Sequence, residues 1–164
     1  MTFNTSSAIQ TKRLGYLLGK NLFPAACLAL SGELGSGKTC LVQGIVSGLG
    51  GDENNVTSPS YTLINQYKAL QGIVYHADLY RLNSKDQIYE LGLEENWGDG
   101  MVLIEWPELI LHDLNRIGFM QIFLKALTEC ERRIELVPYG NAYQTVLNNL
   151  RREDISAFTF LCTL

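Results

Sequence analysis

The residues with the clearest chemical signature form one glycine-rich segment, which spans positions 32–39 and has the sequence G-E-L-G-S-G-K-T. It matches the pattern G-x-x-x-x-G-K-[ST] at every fixed position. Glycines permit the positive φ angles of a tight loop, so backbone N–H groups can point inward and form an anion site at the start of the following helix. Lys38 adds a mobile positive charge for the outer phosphates of a nucleotide, and the Thr39 hydroxyl suits Mg²⁺, which prefers oxygen ligands. The segment therefore predicts a loop that binds a nucleotide together with magnesium.

Two acidic residues at the ends of predicted strands are candidates to complete this site. Asp78 follows the strand-like run at 73–77, and Glu105 follows the more uniformly apolar run at 101–104. Nucleotide hydrolases with this kind of loop use an acid at the end of a neighbouring strand to hold the metal. Carboxylates at strand ends also occur as simple solubilising groups. Beside the loop, we expect one of the two to bind Mg²⁺ and the other to orient the attacking water.

The hydrophobic pattern predicts the elements that must position these side chains. The short apolar run at 25–30 predicts a strand buried on both faces, and the periodic apolar residues at 38–49 predict a helix that Gly50 ends. Strand, glycine turn and helix form the first half of a βαβ unit, which indicates an α/β fold. The pattern also predicts helices at 7–20, 84–91 and 141–150, a hairpin turn at 71–72, and strands at 61–67, 73–78, 101–104, 118–127 and 132–137.

The length and composition favour one compact unit. The chain has 164 residues, of which 46% are apolar, so it can bury a sizeable core. It has no internal repeat and no low-complexity linker, and we expect a single domain over residues 1–164. The pattern leaves the role of the tail at 151–164 open, because its apolar stretch from 155 onward fits either an extra strand or a docked edge.

Charge and cysteine content exclude several classes of function. The net charge of −4 argues against a dense basic face that grips a nucleic-acid backbone. The four cysteines form no C-x-x-C pair and the two histidines lie far apart, so we expect reduced thiols and no zinc site. The N-terminus lacks the order of a signal peptide, and the early apolar run at 25–30 is far short of the roughly 20 residues of a membrane span. We therefore expect a cytoplasmic protein without a membrane segment.

The type of nucleotide follows from motifs that the chain lacks. Guanine-specific relatives of such loops carry N-K-x-D, whereas the nearest string here is N-S-K-D at 83–86, and no D-x-x-G follows either candidate strand. Adenine is therefore favoured. No arginine-rich segment of the kind found in small-metabolite kinases is evident. Three functions stay open at this point: an ATPase, a kinase that phosphorylates a small metabolite, and a non-catalytic interaction module that a nucleotide controls.

Five strings along residues 6–140 resemble the TsaE family, bacterial ATPases of tRNA threonylcarbamoyladenosine biosynthesis. They are T-K-R-L-G at 11–15, the loop at 32–39, V-T-S-P-S-Y-T-L at 56–63, H-A-D-L-Y-R-L at 76–82 and I-E-W-P-E at 104–108. The resemblance implies a P-loop fold whose mixed, mostly parallel sheet is flanked by helices, and slow Mg²⁺-dependent hydrolysis of ATP. It also implies partners of the TsaB and TsaD kinds, of which the TsaD kind performs the carbamoyl transfer, so that contact with tRNA is indirect.

The resemblance implies roles for individual residues as well. Lys38, Asp78 and Glu105 would be catalytic, and Thr39 and Glu105 would bind Mg²⁺. Two residues outside the loop would lie near the nucleotide base, namely Thr11 and Arg133. The phosphates would be held by Gly35, Ser36, Gly37, Lys38, Thr39 and Cys40.

Other positions depart from the family pattern or have a plainer explanation. Ser60 and Tyr61 replace the usual Thr and Phe, but the hydroxyl and the ring are kept, so a switch-like role for this loop survives. Cys40 stands where a second Thr is common, and its backbone N–H can still reach a phosphate. We expect His76 to be a hydrogen-bonded core residue rather than a catalyst. We expect Trp106 to lie at the edge of the site, as a sensor of nucleotide or partner, rather than in ordinary aromatic packing.

Overall fold

A computed structural model describes residues 1–96, 98–153 and 158–161 of the chain. The strands in these ranges are β1 (Thr2–Thr5), β2 (Cys27–Ser31), β3 (Ile64–Ala69), β4 (Gly72–Asp78), β5 (Met101–Glu105), β6 (Phe119–Ala126), β7 (Arg132–Tyr139) and β8 (Thr159–Leu161). The α-helices are α1 (Ala8–Lys20), α2 (Lys38–Gly48), α3 (Lys85–Tyr89), α4 (Leu111–Leu114) and α5 (Asn141–Leu150). No helix in the described ranges has the length and apolar character to cross a membrane.

All eight strands join one sheet in the order β3-β4-β5-β2-β6-β7-β1-β8. The four strands at its centre, β4, β5, β2 and β6, run parallel, and the pairings outside them are antiparallel. The predicted α/β class, with a mixed sheet that is mostly parallel in its core, is confirmed. Because parallel strands share one direction, the segments that follow β2, β4 and β5 lie at the same edge of the sheet.

Helices cover both faces of the parallel strands, which explains why β2 is apolar throughout. Leu28 and Leu30 of β2 pack in one core cluster with residues of α1, α2 and α5. Ala29 points to the other face and packs in a second cluster with residues of α3 and α4. A central strand in such a sheet has no polar face, so β2 shows no alternation of polar and apolar residues.

Helices α1 and α2 pack backbone to backbone through four glycines. A Cβ added at Gly15 would lie 2.4 Å from the Leu41 carbonyl oxygen, and one added at Gly19 would lie 2.3 Å from the Ile45 carbonyl oxygen. The reverse holds from α2, where a Cβ at Gly44 would meet the Lys12 carbonyl oxygen at 2.1 Å. A Cβ at the fourth glycine, Gly48, would meet the Tyr16 carbonyl oxygen at 2.2 Å. The contact leaves no space for a side chain, and it fixes the position of α2, whose first residues follow the glycine-rich loop.

The predicted elements agree with the structure except near turns. Ser7 caps α1 and Ser84 caps α3 through side-chain hydrogen bonds to backbone N–H groups, so both predicted helices begin where expected. The strand predicted at 61–67 begins only at Ile64, because Leu63 has a φ of +64° and its N–H closes a turn on the Pro59 carbonyl oxygen. Strand β1 and the short α4 were not predicted.

The C-terminal tail supplies an edge strand. Residues 159–161 form β8, which pairs with β1 in antiparallel register, so the extra-strand alternative for the tail is the correct one over these positions. Phe158 packs edge-on against the ring of Phe3. The rest of the apolar stretch, at 155–157 and 162–164, lies outside the described residues, as does Trp97.

Candidate functional site

The glycine-rich loop joins the end of β2 to the start of α2, as the sequence predicts. Gly35 and Gly37 have φ angles of +76° and +101°, in the left-handed region that favours glycine. Gly35 lines a cavity of about 270 Å³ at the carboxyl edge of the parallel strands. Ser36 is buried, and its N–H donates to the Glu33 carbonyl oxygen inside the loop. The loop thus has the tight conformation that a phosphate cradle requires.

Lys38 is held at this cavity by carbonyl groups of the loop itself. Its Nζ donates to the carbonyl oxygens of Gly32, at 2.7 Å, and Glu33, at 3.1 Å. Burial lowers the pKa of Lys38, and the nearby carboxylates of Glu105 and Asp78 only partly oppose that effect. A buried ammonium group bonded to neutral carbonyls can exchange them for phosphate oxygens, with which it makes stronger, charge-assisted bonds.

The two candidate acids are direct neighbours across the sheet. Asp78 ends β4 and Glu105 ends β5, and the two residues pair in the parallel register of these strands. Both are almost completely buried, at 4% and 3% exposure, and both line the cavity beside Lys38 and Thr39. The Thr39 hydroxyl donates to Glu105 Oε1 at 3.0 Å. The structure therefore brings the predicted phosphate, metal and acid positions into one cavity.

Asp78 is also bonded to the loop that precedes β3. Its Oδ2 accepts from the Ser60 hydroxyl at 3.0 Å and lies 3.5 Å from that of Ser58. Its Oδ1 accepts from the Tyr80 N–H at 3.0 Å. The hydroxyl that the chain retains at position 60 therefore links this loop directly to one of the two acids.

Trp106 lies at the rim of the cavity in a strained backbone conformation. Its φ is +59°, which is rare for a bulky residue, and its N–H donates to the Leu30 carbonyl oxygen at 3.1 Å. The ring centre lies 4.2 Å from Lys38 Nζ, within the range of a cation–π contact, and 4.9 Å from the ring centre of Tyr80. Its position at the site edge agrees with the prediction, whereas the contact with Lys38 was not foreseen.

A second cavity of about 170 Å³ adjoins the first one on the side of α1. It is lined by Ala8, Thr11, Gly37, Cys40, Glu129, Cys130 and Arg132. Gly37 and Cys40 line both cavities, so a ligand on the phosphate loop can extend into the second one. Thr11 is buried there and shares a hydrogen bond of 2.8 Å with the Thr5 hydroxyl. Thr11, for which the family resemblance implies a place near the nucleotide base, thus lines the cavity next to the loop.

The arginine that lines the second cavity is Arg132. The expectation that Arg133 lies near the nucleotide base is therefore corrected. Arg132 Nη2 donates to the Gly35 carbonyl oxygen at 3.4 Å, and Arg132 Nε would lie 3.5 Å from a Cβ at Gly37. Successive residues of a strand point to opposite faces, and the alternate residue Ile134 packs in the core cluster with α1 and α2. Arg132 therefore shares the face of that cluster, while Arg133 is exposed on the other face.

The donor groups fit ATP and magnesium. Mg²⁺ prefers oxygen ligands and keeps several of its waters, and the cavity offers the Thr39 hydroxyl and the two buried carboxylates. Among the described residues, no group of three or more His, Cys, Asp and Glu side chains could by itself hold a metal ion. The oxygen ligands of the site therefore suit an Mg²⁺ ion that phosphate oxygens would also bind.

His76 is the residue whose place in the site the sequence analysis did not foresee. It is fully buried in β4, as expected of a core residue, but its Nε2 lies 3.0 Å from Glu105 Oε1. Its Nδ1 lies 3.3 Å from the Tyr67 hydroxyl of β3. The H-x-D spacing carried the signal, because residues two apart in a strand point to the same face, and Asp78 is itself at the cavity.

Comparisons with known proteins extend over this whole site. The family model described as "Threonylcarbamoyl adenosine biosynthesis protein TsaE" matches residues 5–134. A tRNA threonylcarbamoyladenosine biosynthesis protein TsaE from Rickettsia felis is 38% identical over 128 residues, which are 78% of this chain and 74% of that protein. The protein of the same name from Bacillus subtilis (strain 168) is 34% identical over 155 residues, 94% of this chain and 96% of that one. The crystal structure of Bacillus subtilus YdiB is similar with a TM-score of 0.73 and 30% identity, and the match covers 94% of this chain and 95% of that chain.

Proposed function

The chain belongs to the TsaE family of threonylcarbamoyl adenosine biosynthesis proteins, and on that premise we propose that it is a cytoplasmic, Mg²⁺-dependent ATPase of the tRNA N6-threonylcarbamoyladenosine machinery. In this proposal it hydrolyses ATP to drive the cycle of a complex with TsaB-like and TsaD-like subunits. The observation that carries the proposal is the meeting, in one cavity, of the phosphate loop with two buried carboxylates on neighbouring strands.

In this function Lys38 and the loop would hold the phosphates. Lys38 Nζ would leave the Gly32 and Glu33 carbonyl oxygens, to which it now donates, for oxygens of the outer phosphates. Gly35 and Gly37 give the loop its positive φ angles and let backbone N–H groups approach the same anion. Adenosine would extend past Cys40 into the cavity lined by Thr11 and Arg132.

Thr39 and Glu105 would hold the magnesium ion, and Asp78 would hold the water that attacks. When bound, Mg²⁺ would neutralise charge that develops on the transferred phosphoryl group. The Thr39 hydroxyl now donates to Glu105 Oε1 at 3.0 Å, so the two side chains that would hold the ion are already in contact. Asp78 is buried in the same cavity and accepts from Ser60, which orients its carboxylate toward the site.

The decisive test is ATP turnover by the purified chain, alone and with its TsaB and TsaD partners. We expect ATP binding, slow Mg²⁺-dependent release of inorganic phosphate, and faster release with both partners present. Nucleotide binding can be followed by the fluorescence of Trp106 in a Trp97→Phe variant, since the chain has two tryptophans. Absence of both ATP binding and partner-stimulated turnover would overturn the proposal.

The same assay separates the two other functions that the sequence leaves open. With γ-labelled ATP, a small-metabolite kinase would transfer the label to a soluble acceptor, whereas an ATPase releases it as phosphate. A non-catalytic module would keep its biological activity in Glu105→Gln and Asp78→Asn and lose it in Lys38→Ala. We expect all three variants to lose that activity, because the three residues act on the same phosphate group.

A further inference from the structure

We propose that His76 is a positioning residue that fixes the Glu105 carboxylate for magnesium. This inference rests on the proposed function, and it concerns a side chain that faces away from solvent. His76 is 0% exposed, and its Nε2 lies 3.0 Å from Glu105 Oε1. The Thr39 hydroxyl donates to the same oxygen. Two donors therefore hold Glu105 by one oxygen, and the carboxylate can present the other oxygen to a cation.

The donor of two of these hydrogen bonds follows from what the partner can accept. A carboxylate only accepts, so His76 Nε2 carries the proton that Glu105 accepts. A carbonyl oxygen also only accepts, so the Tyr67 hydroxyl donates to the Thr57 carbonyl oxygen at 3.0 Å. His76 Nδ1 lies 3.3 Å from the same hydroxyl, which is the second polar contact of the ring.

Asn65 supports the Tyr67 end of this line of contacts. Its Nδ2 donates to the Thr57 carbonyl oxygen and to the Tyr67 hydroxyl oxygen, each at 3.3 Å. Asn65 and Thr57 therefore hold the Tyr67 hydroxyl beside Nδ1, and the imidazole is oriented by contacts at both ring nitrogens.

The same line of hydrogen-bond contacts connects the two acids of the site to one loop. Thr57, whose carbonyl oxygen accepts from the Tyr67 hydroxyl, directly precedes Ser58. Ser58 and Ser60 are the residues whose hydroxyls face Asp78 Oδ2. Segment 57–60 thus bonds Asp78 directly and reaches Glu105 through Tyr67 and His76.

The test compares two replacements that differ in which ring nitrogen they imitate. The amide of His76→Gln can reach the place of Nε2 and still donate to Glu105, whereas the shorter His76→Asn reaches only the place of Nδ1. ATP affinity is measured by calorimetry without magnesium, in EDTA, and then over a magnesium titration. For His76→Asn we expect the half-saturating magnesium concentration to rise about 10-fold or more, as is usual for a lost partner of a metal ligand. We expect His76→Gln to stay within about threefold of the natural chain.

A purely structural role predicts a different pattern. It would lower the melting temperature and the ATP affinity equally with and without magnesium, or leave the magnesium response of His76→Asn unchanged, and either result would overturn the inference. If His76→Asn does not fold, Tyr67→Phe removes the hydroxyl that fixes Nδ1, and a raised magnesium requirement with normal affinity in EDTA is again expected. The proposed function is tested separately, because its test uses the natural chain and measures ATP binding and partner-stimulated turnover.

Discussion

The packing of α1 against α2 and the polar cluster at the ends of β4 and β5 position the same cleft, the proposed nucleotide site, by opposite means. The helix contact uses backbone against backbone, with four glycines and no room for a Cβ. The cluster uses long side chains, Lys38, Asp78 and Glu105, that are buried and held by specific hydrogen bonds. The helix contact depends on close packing of uncharged groups. The cluster depends on charged groups, whose burial costs free energy.

The difference implies that the two regions fail in different ways when they are changed. A misfit between α1 and α2 should lower stability, because close packing cannot relax without moving a helix. Loss of the Lys38 side chain from the cluster should lower nucleotide affinity while stability stays the same or improves, because burial lowers the pKa of its ammonium group and so disfavours the charged form. Four substitutions test this division, beginning with the largest expected effect.

Gly44→Ala should produce the largest loss of stability. Its Cβ would lie 2.1 Å from the Lys12 carbonyl oxygen, and both atoms belong to helices that cannot shift independently. We expect a loss of about 3 kcal/mol, at the upper end for overpacked cores, which lowers the melting temperature by about 6–12 °C in a chain of this size. Thermal unfolding followed by circular dichroism measures it.

The matched control for this change is Ser47→Ala on the same helix. Ser47 is only partly buried, so its replacement should change stability by less than about 0.5 kcal/mol. Below its melting temperature, Gly44→Ala should still bind ATP, because no group of the cleft is removed. Equal melting temperatures for the two variants would show that the helix contact is looser than the structure indicates.

Lys38→Ala should produce the largest loss of binding. It removes the charge that faces the phosphates, and hydrogen bonds to charged groups contribute about 1.5–3 kcal/mol, so ATP affinity should fall about 10- to 100-fold. The melting temperature should hold or rise, since burial already lowers the pKa of this ammonium group. Calorimetric ATP titration measures the loss. Lys85→Ala is the control, because Lys85 pairs with Asp113 at the surface, and an affinity as low as that of Lys38→Ala would contradict the assignment.

These two regions also differ in how far the sequence predicts them. The phosphate loop and the acids are local signals: a fixed motif after an apolar run, and a carboxylate at the end of each of two strands. The parallel register that makes Asp78 and Glu105 neighbours follows from the α/β pattern. The helix contact carried a signal too, the spacing of Gly15 with Gly19 and of Gly44 with Gly48. Glycine in a helix usually indicates a weak helix, and only the packed structure shows that each of these glycines meets a backbone carbonyl.

Other features depended on contacts between residues far apart in the chain. Strand β1 is short and polar, and its partners β7 and β8 lie more than 120 residues away, so no local pattern indicates it. The bond between His76 and Glu105 requires the register of β4 with β5. The H-x-D spacing indicates that His76 shares a face of β4 with Asp78, but it does not indicate which residue of β5 the imidazole contacts.

Gly35→Ala should produce an intermediate effect in the polar region. A Cβ at this position would meet no atom within 4 Å, but the φ of +76° costs an alanine about 1–2 kcal/mol. Relief of that strain would move the loop, so we expect ATP affinity to fall about 5- to 30-fold, which corresponds to the same free energy. Gly72→Ala is a matched control, since Gly72 also has a positive φ and open space but lies in the hairpin between β3 and β4. It should lose stability and keep its affinity, and an equal loss of affinity would rule out a local effect on the loop.

Arg132→Ala should produce the smallest effect, and it tests the base side of the cleft. The Arg132 guanidinium donates to the carbonyl oxygens of Thr128, Glu129 and Glu131 in the turn between β6 and β7, and more weakly to that of Gly35. Loss of these bonds should lower ATP affinity about three- to fivefold, or about 1 kcal/mol, and leave the affinity for inorganic triphosphate unchanged, because that ligand has no base.

Arg133→Ala is the control that strand alternation provides. Arg133 is exposed on the opposite face of β7, so its removal should leave both affinities unchanged. If Arg133→Ala weakened ATP binding and Arg132→Ala did not, the base would lie on the other face of the sheet from α1, and the cavity lined by Thr11 and Cys40 would have no part in binding. If both ligands weakened equally in Arg132→Ala, its role would be to support the phosphate loop through Gly35 rather than to meet the base.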